Sequence, residues 1–133
     1  MILEHVAIWT ENLEEMKSFY VTHLGGKAGA KYCNTRSGFE SYFITFDSGA
    51  RLELMKRNNV PDNLNDRAGL QHKGLIHIAF GVSSHEEVDK IARDFAEAGI
   101  PVLNGPRITG DGYYEIEALD PERNRIEITT AAI

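Results

Sequence analysis

The sequence contains a single cysteine, four prolines and a single tryptophan among its 133 residues. One cysteine, Cys33, cannot form a disulfide within the chain, which is typical of a reducing compartment. No apolar run approaches the roughly 18 residues that a membrane-spanning helix needs, and no basic-then-apolar leader opens the chain. We therefore expect a cytoplasmic protein with no membrane partner.

Positive charge is also in short supply. Lysine and arginine total 14 against 20 aspartates and glutamates, which gives a net charge of -6 at pH 7. This balance provides no general attraction to nucleic acid, and the sequence has no local basic patch that would supply one. The remaining composition, with 42% hydrophobic and 26% charged residues, is that of an ordinary folded domain. At this length a core can be buried without disulfides.

Four short apolar stretches each carry one histidine or glutamate that alternates with apolar residues. In chain order these residues are His5, Glu53, His77 and Glu127. Successive side chains of a strand point to opposite faces, so the apolar neighbours can build a core while the polar residue lies on the other face. Two imidazoles and two carboxylates suit one divalent ion of the group Ni, Zn, Co, Mn and Fe(II). We predict that the four residues converge as metal ligands.

The first half of the chain predicts the order βαβββ. Residues 2–9 alternate as a strand, and Asn12 with Glu15 forms a capping box before apolar residues at helical spacing. A glycine pair ends this helix. Three more strands are predicted at residues 28–34, 39–46 and 51–56.

The second half repeats this order. Residues 74–82 are predicted as a strand, and Ser84 with Glu87 forms a second capping box before another amphipathic helix. Further strands are predicted at residues 102–104, 113–119 and 125–130. Residues 58–73 lack either periodicity and are predicted to be a linker.

The two halves match in register as well as in type. His5 and His77 are 72 residues apart, and the same offset relates the two capping boxes. The step from histidine to glutamate is 48 residues to Glu53 and 50 residues to Glu127. We predict an α+β fold of two tandem βαβββ modules whose mixed sheets form a metal-lined cleft. The predicted organisation is one domain over residues 1–133, with module 1 at about 1–57, the linker at about 58–73 and module 2 at about 74–133.

This arrangement resembles the vicinal oxygen chelate superfamily, also called the glyoxalase/bleomycin resistance/dioxygenase superfamily, over essentially the whole chain. It is most similar to glyoxalase I, in which both halves supply a pair of metal ligands. The residues that carry the resemblance are His5-Val6-Ala7-Ile8, Phe19-Tyr20, Arg51-Leu52-Glu53-Leu54, His77-Ile78-Ala79, Gly99-Ile100-Pro101 and the segment from Asp120 to Glu127.

The resemblance implies a metal-dependent lyase or isomerase that converts the hemithioacetal of methylglyoxal and a small thiol into a thioester through an enediolate. Glu127 or Glu53 would carry the proton between the two carbons. The resemblance also implies a homodimer in which His5 and Glu53 of one chain meet His77 and Glu127 of the other. Alternative functions are a dioxygenase, an epimerase or an antibiotic-modifying thiol transferase, or a small-molecule-binding protein without turnover.

One residue departs from the pattern of the glutathione-using enzymes. Short bacterial glyoxalase I enzymes commonly have an arginine four residues after the first histidine, where it pairs with a carboxylate of glutathione. Here that position is Trp9, and an indole cannot form a bidentate ion pair. Another thiol, or a substrate that is no thiol adduct, fits the sequence equally well. Trp9, Tyr114, Arg36 and Arg107 are candidate substrate-binding residues, and the alternatives for them are packing or a solvated surface.

The simpler explanation for the two glutamates is pairing with an arginine on the same strand face, Glu53 with Arg51 and Glu127 with Arg125. Such exposed pairs contribute only about 0–1 kcal/mol. The apolar flanks of both glutamates favour a cleft instead. The three remaining histidines are predicted to be solvated; they are His23, His72 and His85.

Overall fold

The computed structural model describes residues 1–64 and 69–131. The chain divides into two compact units, Met1–Asp62 and Asn63–Ile133. The first unit contains β1 (His5–Trp9), α1 (Leu13–Leu24), β2 (Lys27–Ala28), β3 (Tyr32–Asn34), β4 (Phe39–Thr45) and β5 (Arg51–Lys56). The second contains β6 (Ile78–Gly81), α2 (His85–Glu97), β7 (Val102–Ile108), β8 (Tyr113–Leu119) and β9 (Arg125–Ala131).

The sheet of the first unit has the strand order β1-β5-β4-β2, and β3 also pairs with β4. Strand β1 runs parallel to β5, while the other pairs are antiparallel. Helix α1 packs on β4 and β5 and covers one face of this sheet. Buried side chains from the helix and the sheet form the core between them; they are Leu13, Met16, Phe19, Tyr20, Tyr42, Ile44, Leu52 and Leu54.

The sheet of the second unit has the strand order β6-β9-β8-β7. Strand β6 runs parallel to β9, and the pairs β8–β9 and β7–β8 are antiparallel. Helix α2 packs on β7, β8 and β9. The core is again built from one helix face and one sheet face; its buried residues include Val88, Phe95, Ile116, Ala118, Ile126 and Ile128.

Both units therefore place the strand that precedes the helix beside the last strand of the same unit, in parallel. This shared topology confirms the predicted repeat and the predicted α+β class with two mixed sheets and two helices. In each unit, we call the sheet face that the helix covers the helix face, and the opposite one the far face.

Both predicted capping boxes are present. The Asn12 side chain accepts a hydrogen bond from the backbone N–H of Glu15 at 3.2 Å, and Ser84 Oγ accepts one from the N–H of Glu87 at 3.2 Å. The Glu87 carboxylate in turn accepts from the N–H and the hydroxyl of Ser83, at 2.6 and 2.8 Å. Each such cap typically stabilises a helix by about 1 kcal/mol.

Two predicted strands begin later than expected. Strand β1 begins at His5 instead of residue 2, and β6 begins at Ile78 instead of residue 74. The partner strand sets the limit of β1, since His5 pairs with Arg51, the first residue of β5. Strand β6 pairs from Ile78 opposite Ile126, one residue after β9 begins at Arg125. In both stretches the alternation of apolar residues begins several residues before the first residue that pairs with a neighbouring strand. His77 consequently lies one residue before its strand.

Two other predicted strands differ in continuity. The strand expected at residues 28–34 is two short strands, β2 and β3, on either side of a three-residue break that begins at Gly29. The strand expected at 102–104 continues to Ile108, because register shifts between β7 and β8 accommodate Gly105 and Pro106 within the ladder. The strands predicted at 51–56 and 113–119 have the predicted bounds.

The predicted linker, residues 58–73, contains neither helix nor strand in its described parts, 58–64 and 69–73. Its residues 65–68, and residues 132–133 of the predicted second module, lie outside the described part of the chain. Within the described ranges, no helix is both long and apolar enough to cross a membrane.

Candidate metal and substrate site

In the first unit, His5 and Glu53 lie side by side on the far face of the sheet. Strand pairing places Ala7 opposite Glu53, and His5 and Ala7 share a face of β1. The His5 Nε2 and Glu53 Oε2 atoms are 3.6 Å apart. The histidine side chain is 40% exposed, whereas the glutamate side chain is only 15% exposed. The sheet thus presents one imidazole and one largely buried carboxylate to the same point.

The second unit repeats this pair. Strand pairing places Ala79 opposite Glu127, and His77 lies two residues before Ala79 on the same side of the chain. The His77 Nε2 and Glu127 Oε2 atoms are 3.2 Å apart, with side-chain exposures of 36% and 14%. The sequence repeat therefore extends to the geometry of the two polar pairs.

The arginines predicted as alternative partners of the two glutamates have other contacts. The Arg51 Nε donates to Glu4 Oε1 at 2.8 Å, and its Cζ lies 4.0 Å from the centre of the Phe43 ring. The buried Arg125 donates from Nη2 to the backbone carbonyl of Leu70 at 2.8 Å. In each unit the glutamate thus lies against a histidine while the arginine binds elsewhere.

The surroundings of His5 orient its ring. Its Nδ1 contacts the Glu4 carboxylate, and its ring meets Phe43 edge to face at 5.5 Å between ring centres. A carboxylate on Nδ1 favours the tautomer whose Nε2 lone pair is free, and such contacts are typical behind metal-binding histidines. The free nitrogen is the one directed at Glu53.

The surroundings of Glu127 are acidic. Glu117 lies directly opposite it on β8, and Glu115 shares that strand face. Burial raises the pKa of Glu127; His77 opposes this rise, Glu115 and Glu117 add to it, and Arg107 opposes it. Glu127 is therefore held as a stronger base than an exposed carboxylate.

In the described part of the chain, no group of three or more histidine, cysteine, aspartate or glutamate side chains is arranged to hold a metal. Each unit instead supplies two donors, one imidazole nitrogen and one carboxylate oxygen. This donor set is chemically appropriate for a divalent ion of the zinc and nickel group. Each unit taken alone thus supplies two of the four metal ligands that the sequence predicts.

The predicted substrate-binding residues are distributed unevenly. Trp9 lies on the far face of the first sheet together with His5. Arg107 lies on the far face of the second sheet, opposite Glu115, and its Nη2 is 3.2 Å from Glu115 Oε1. Arg36 lies in the exposed turn after β3, where its N–H donates to the side chain of Asn34.

Tyr114 lies on the helix face, opposite in direction to Glu127. Its hydroxyl donates to Asp89 Oδ1 at 2.7 Å, and its ring stacks on His85 with 4.3 Å between ring centres. Tyr114 is therefore not brought to the His77–Glu127 pair. Its neighbour Tyr113 is on the far face, in the same alternation as Glu115.

The alternation of side chains along β8 already indicates that Tyr114 lies on the helix face and Tyr113 on the far face. Tyr114 alternates with Ile116 and Ala118, while Tyr113 alternates with two glutamates. The residues that sequence reasoning missed share one property, which is that they line a far face. They are Tyr32, Phe39 and Phe43 in the first unit and Glu115 and Glu117 in the second.

The three histidines predicted to be solvated are each half-buried. His23 contacts the ring of Phe19, His72 Nδ1 is 3.2 Å from the carbonyl of Lys73, and His85 stacks on Tyr114. None of these contacts involves the two histidine–glutamate pairs.

Comparison with known proteins gives a consistent result over nearly the whole chain. The profile of the Glyoxalase/Bleomycin resistance protein/Dioxygenase superfamily matches residues 2–128. The uncharacterized protein YqjT of Bacillus subtilis (strain 168) is 25% identical over 132 residues, covering 95% of this chain and 96% of that protein.

Two solved structures show the same fold. A glyoxalase family protein from Bacillus cereus superposes with a TM-score of 0.81 at 16% identity, covering 100% of this chain and 95% of its own. The trypanothione-dependent glyoxalase I of Leishmania major superposes with a TM-score of 0.74 at 20% identity, covering 98% and 86%.

Proposed function

Since the chain belongs to the Glyoxalase/Bleomycin resistance protein/Dioxygenase superfamily, we propose that it is a metal-dependent lyase of the glyoxalase I type. Its proposed substrate is the hemithioacetal of methylglyoxal and a small thiol, and its product is the thioester. The reaction is an isomerisation through an enediolate, in which a proton leaves the carbon bearing sulfur and returns at the neighbouring carbon. No external oxidant or reductant is needed.

The observation that carries this proposal is the repeated histidine–glutamate pair. His5 with Glu53, and His77 with Glu127, occupy equivalent positions on the far faces, with Nε2–Oε2 distances of 3.6 and 3.2 Å. A merely structural role would not require the same two residue types in both units. Members of the superfamily generally use a divalent metal, and the donors present suit one.

In this proposal the four side chains hold one divalent ion, and in a homodimer the His5–Glu53 pair of one chain completes a site with the His77–Glu127 pair of the other. The metal, when bound, supplies Lewis-acid stabilisation of negative charge on two neighbouring substrate oxygens. The identity of the ion depends on cellular supply as well as on the ligands.

The proposed proton carrier is Glu127, with Glu53 as the equivalent group of the other pair. Burial raises the pKa of Glu127, and Glu115 and Glu117 reinforce this effect. A carboxylate with a raised pKa removes a proton from carbon more readily than an exposed one. It can then deliver the same proton to the adjacent carbon, because its environment also tolerates the protonated form.

The thiol is proposed to differ from glutathione. The solved relative from Leishmania major is trypanothione-dependent, so the fold accommodates a thiol other than glutathione. In this chain Trp9 stands on the strand of His5 where glutathione-using enzymes commonly have an arginine. An indole offers a ring surface in place of a bidentate cation.

The proposal is tested by metal analysis of the purified protein combined with thioester formation from methylglyoxal and a panel of thiols. We expect bound divalent metal and product with at least one thiol, and loss of both in His5→Ala. Glu127→Gln should lose at least about 100-fold in turnover, in line with removal of a general base. Glu97→Gln, at the exposed end of α2, is the matched control and should behave as wild type. A metal-free protein whose stability is unchanged by His5→Ala would contradict the metal site.

A second candidate is a small-molecule-binding protein without turnover. The exposed side chains of Trp9 and Tyr32 on the far face of the first sheet favour it, since they offer ring surface for a flat ligand. Ligand binding that is unaffected by a chelator, together with no product from any thiol, would support this candidate over the lyase.

A further inference from the structure

Three aromatic side chains form a cluster at one end of the far face of the first sheet. The aromatic cluster consists of Trp9, Tyr32 and Phe39, from β1, β3 and β4. Phe39 meets Trp9 edge to face at 6.0 Å between ring centres and lies 6.0 Å from Tyr32 at an interplanar angle of 57°. Trp9 is nevertheless 40% exposed and Tyr32 55% exposed. The cluster is therefore arranged by mutual contacts while it offers ring surface to a ligand.

The cluster is not needed for the core of its unit. That core lies on the helix face, where residues such as Ile44 and Leu54 are fully buried. Because β-strand side chains alternate, every member of the cluster points away from this core. Contiguous exposed apolar surface commonly marks a binding site.

A cation accompanies the cluster. The guanidinium carbon of Arg57 lies 5.1 Å from the centre of the Trp9 ring. Arg57 follows β5 directly and is exposed. Guanidinium groups over aromatic rings remain able to pair with carboxylates, sulfonates or phosphates through their edge. The site thus combines ring surface with one positive charge at its rim.

The cluster is aligned with the reactive pair. Trp9 follows His5 by four residues on the same side of β1, which corresponds to about 13 Å along a strand. On β1 only the small side chain of Ala7 lies between His5 and Trp9, and Met55 of β5 lies between Trp9 and Ser41 at the aromatic end of the face. A molecule of moderate length can therefore contact the His5–Glu53 pair with one end and the aromatic cluster with the other.

We propose that the substrate carries a flat aromatic ring with an anionic substituent, and that the aromatic cluster with Arg57 binds this part of the molecule. The inference rests on the function proposed above, because the reacting end of the same molecule is assigned to the His5–Glu53 pair. Ring stacking supplies affinity, and Arg57 selects rings that carry negative charge. The predicted substrate class is a hemithioacetal whose thiol part carries an aryl ring with an acidic group, and this ring binds about 13 Å along β1 from His5.

The single tryptophan of the chain makes the test direct, because intrinsic tryptophan fluorescence reports on Trp9 alone. Three probes are titrated into the full-length protein: 2-naphthoate, which has ring and charge, 2-naphthylmethanol, which has the ring only, and cyclohexanecarboxylate, which has the charge only. We expect saturable quenching by 2-naphthoate at lower concentration than by either other probe. Equal responses to all three probes would overturn the proposal.

Variants that keep Trp9 as the reporter separate the two contributions. Phe39→Leu and Tyr32→Leu should each weaken 2-naphthoate binding by about 2- to 12-fold, the range for one aromatic pair. Arg57→Gln should weaken 2-naphthoate while leaving 2-naphthylmethanol unchanged. Val21→Ala, at an exposed apolar position of α1, is the control and should bind as wild type. Wild-type affinity in both Phe39→Leu and Tyr32→Leu would contradict the assignment.

The titrations are repeated after treatment with a chelator, so that this inference and the proposed lyase activity can fail separately. Selective 2-naphthoate binding without turnover of any hemithioacetal would retain the aromatic site and remove the lyase. Turnover without any preference for 2-naphthoate over cyclohexanecarboxylate would retain the lyase and remove the aromatic site.

Discussion

Gly105→Ala tests how closely β7 approaches β8, the strand that carries the carboxylates beside Glu127. Gly105 has a φ of +87°, and a Cβ added there would lie 2.4 Å from the carbonyl oxygen of Glu115 and 3.1 Å from the Cα of Ile116. Both neighbours are backbone atoms in the centre of the sheet, so neither can move without displacing β8. Alanine is therefore expected to disturb the ladder and not only the substituted residue.

The magnitude follows from two contributions. A positive φ costs an L-residue about 1–2 kcal/mol, and overpacking typically costs about 1–3 kcal/mol. Gly105→Ala should thus lower the free energy of unfolding by about 2–5 kcal/mol. Gly112→Ala provides the matched control, because Gly112 has a φ of +91° but open space around the added Cβ. It should lose only the backbone contribution of about 1–2 kcal/mol.

The assay is urea unfolding monitored by far-ultraviolet circular dichroism. The two variants are compared on the condition that the free energy of unfolding depends on urea concentration with the same slope in both. Because Gly105 and Gly112 lie in the same β7–β8 hairpin, the difference between them isolates the contact with the Glu115 carbonyl. Equal destabilisation of the two variants would refute the close approach of β7 and β8.

Three further results are expected. Ile126→Ala should lower the free energy of unfolding by about 2–5 kcal/mol, measured by urea unfolding, because Ile126 is completely buried. Ser84→Ala should cost about 1 kcal/mol through loss of the cap on α2, read from the same curves. The backbone N–H of Ser83, followed by its hydroxyl, lowers the pKa of Glu87. Glu87 therefore contributes stability that is complete above the ordinary carboxyl pKa and is lost as the pH falls through the lowered pKa. Glu87→Gln should consequently have a lower melting temperature than wild type at pH 7 and the same melting temperature as wild type in acid.

Much of the fold can be predicted from local patterns in the sequence. The capping boxes locate both helices because their side chains satisfy the first backbone N–H groups, as Asn12 and Ser84 do. Strands β5 and β8 have the predicted bounds because turn residues flank their apolar alternation. Strand β1 differs because a strand begins where its partner becomes available, and no local pattern contains this information.

One part of the candidate site could be predicted from the sequence, namely the face of the sheet on which each strand residue lies. Phase places His5 and Glu53 together, and it also assigns Tyr113, not Tyr114, to the face of Glu127. The aromatic cluster was not predictable in the same way. Phe39 and Tyr32 reach Trp9 only through pairing of β3, β4 and β5, which joins residues far apart in the chain.

The central claim is that the two histidine–glutamate pairs serve one metal site, and metal-binding stoichiometry tests it most directly. Isothermal titration of metal-free protein with Zn²⁺, and separately with Ni²⁺, is compared for wild type, Glu53→Gln and Glu127→Gln. We predict one ion per chain in wild type and at least about 100-fold weaker binding in either variant, since even residues behind a metal ligand contribute 10–100-fold. Binding that persists at half the stoichiometry in each variant would show two independent sites and contradict the claim.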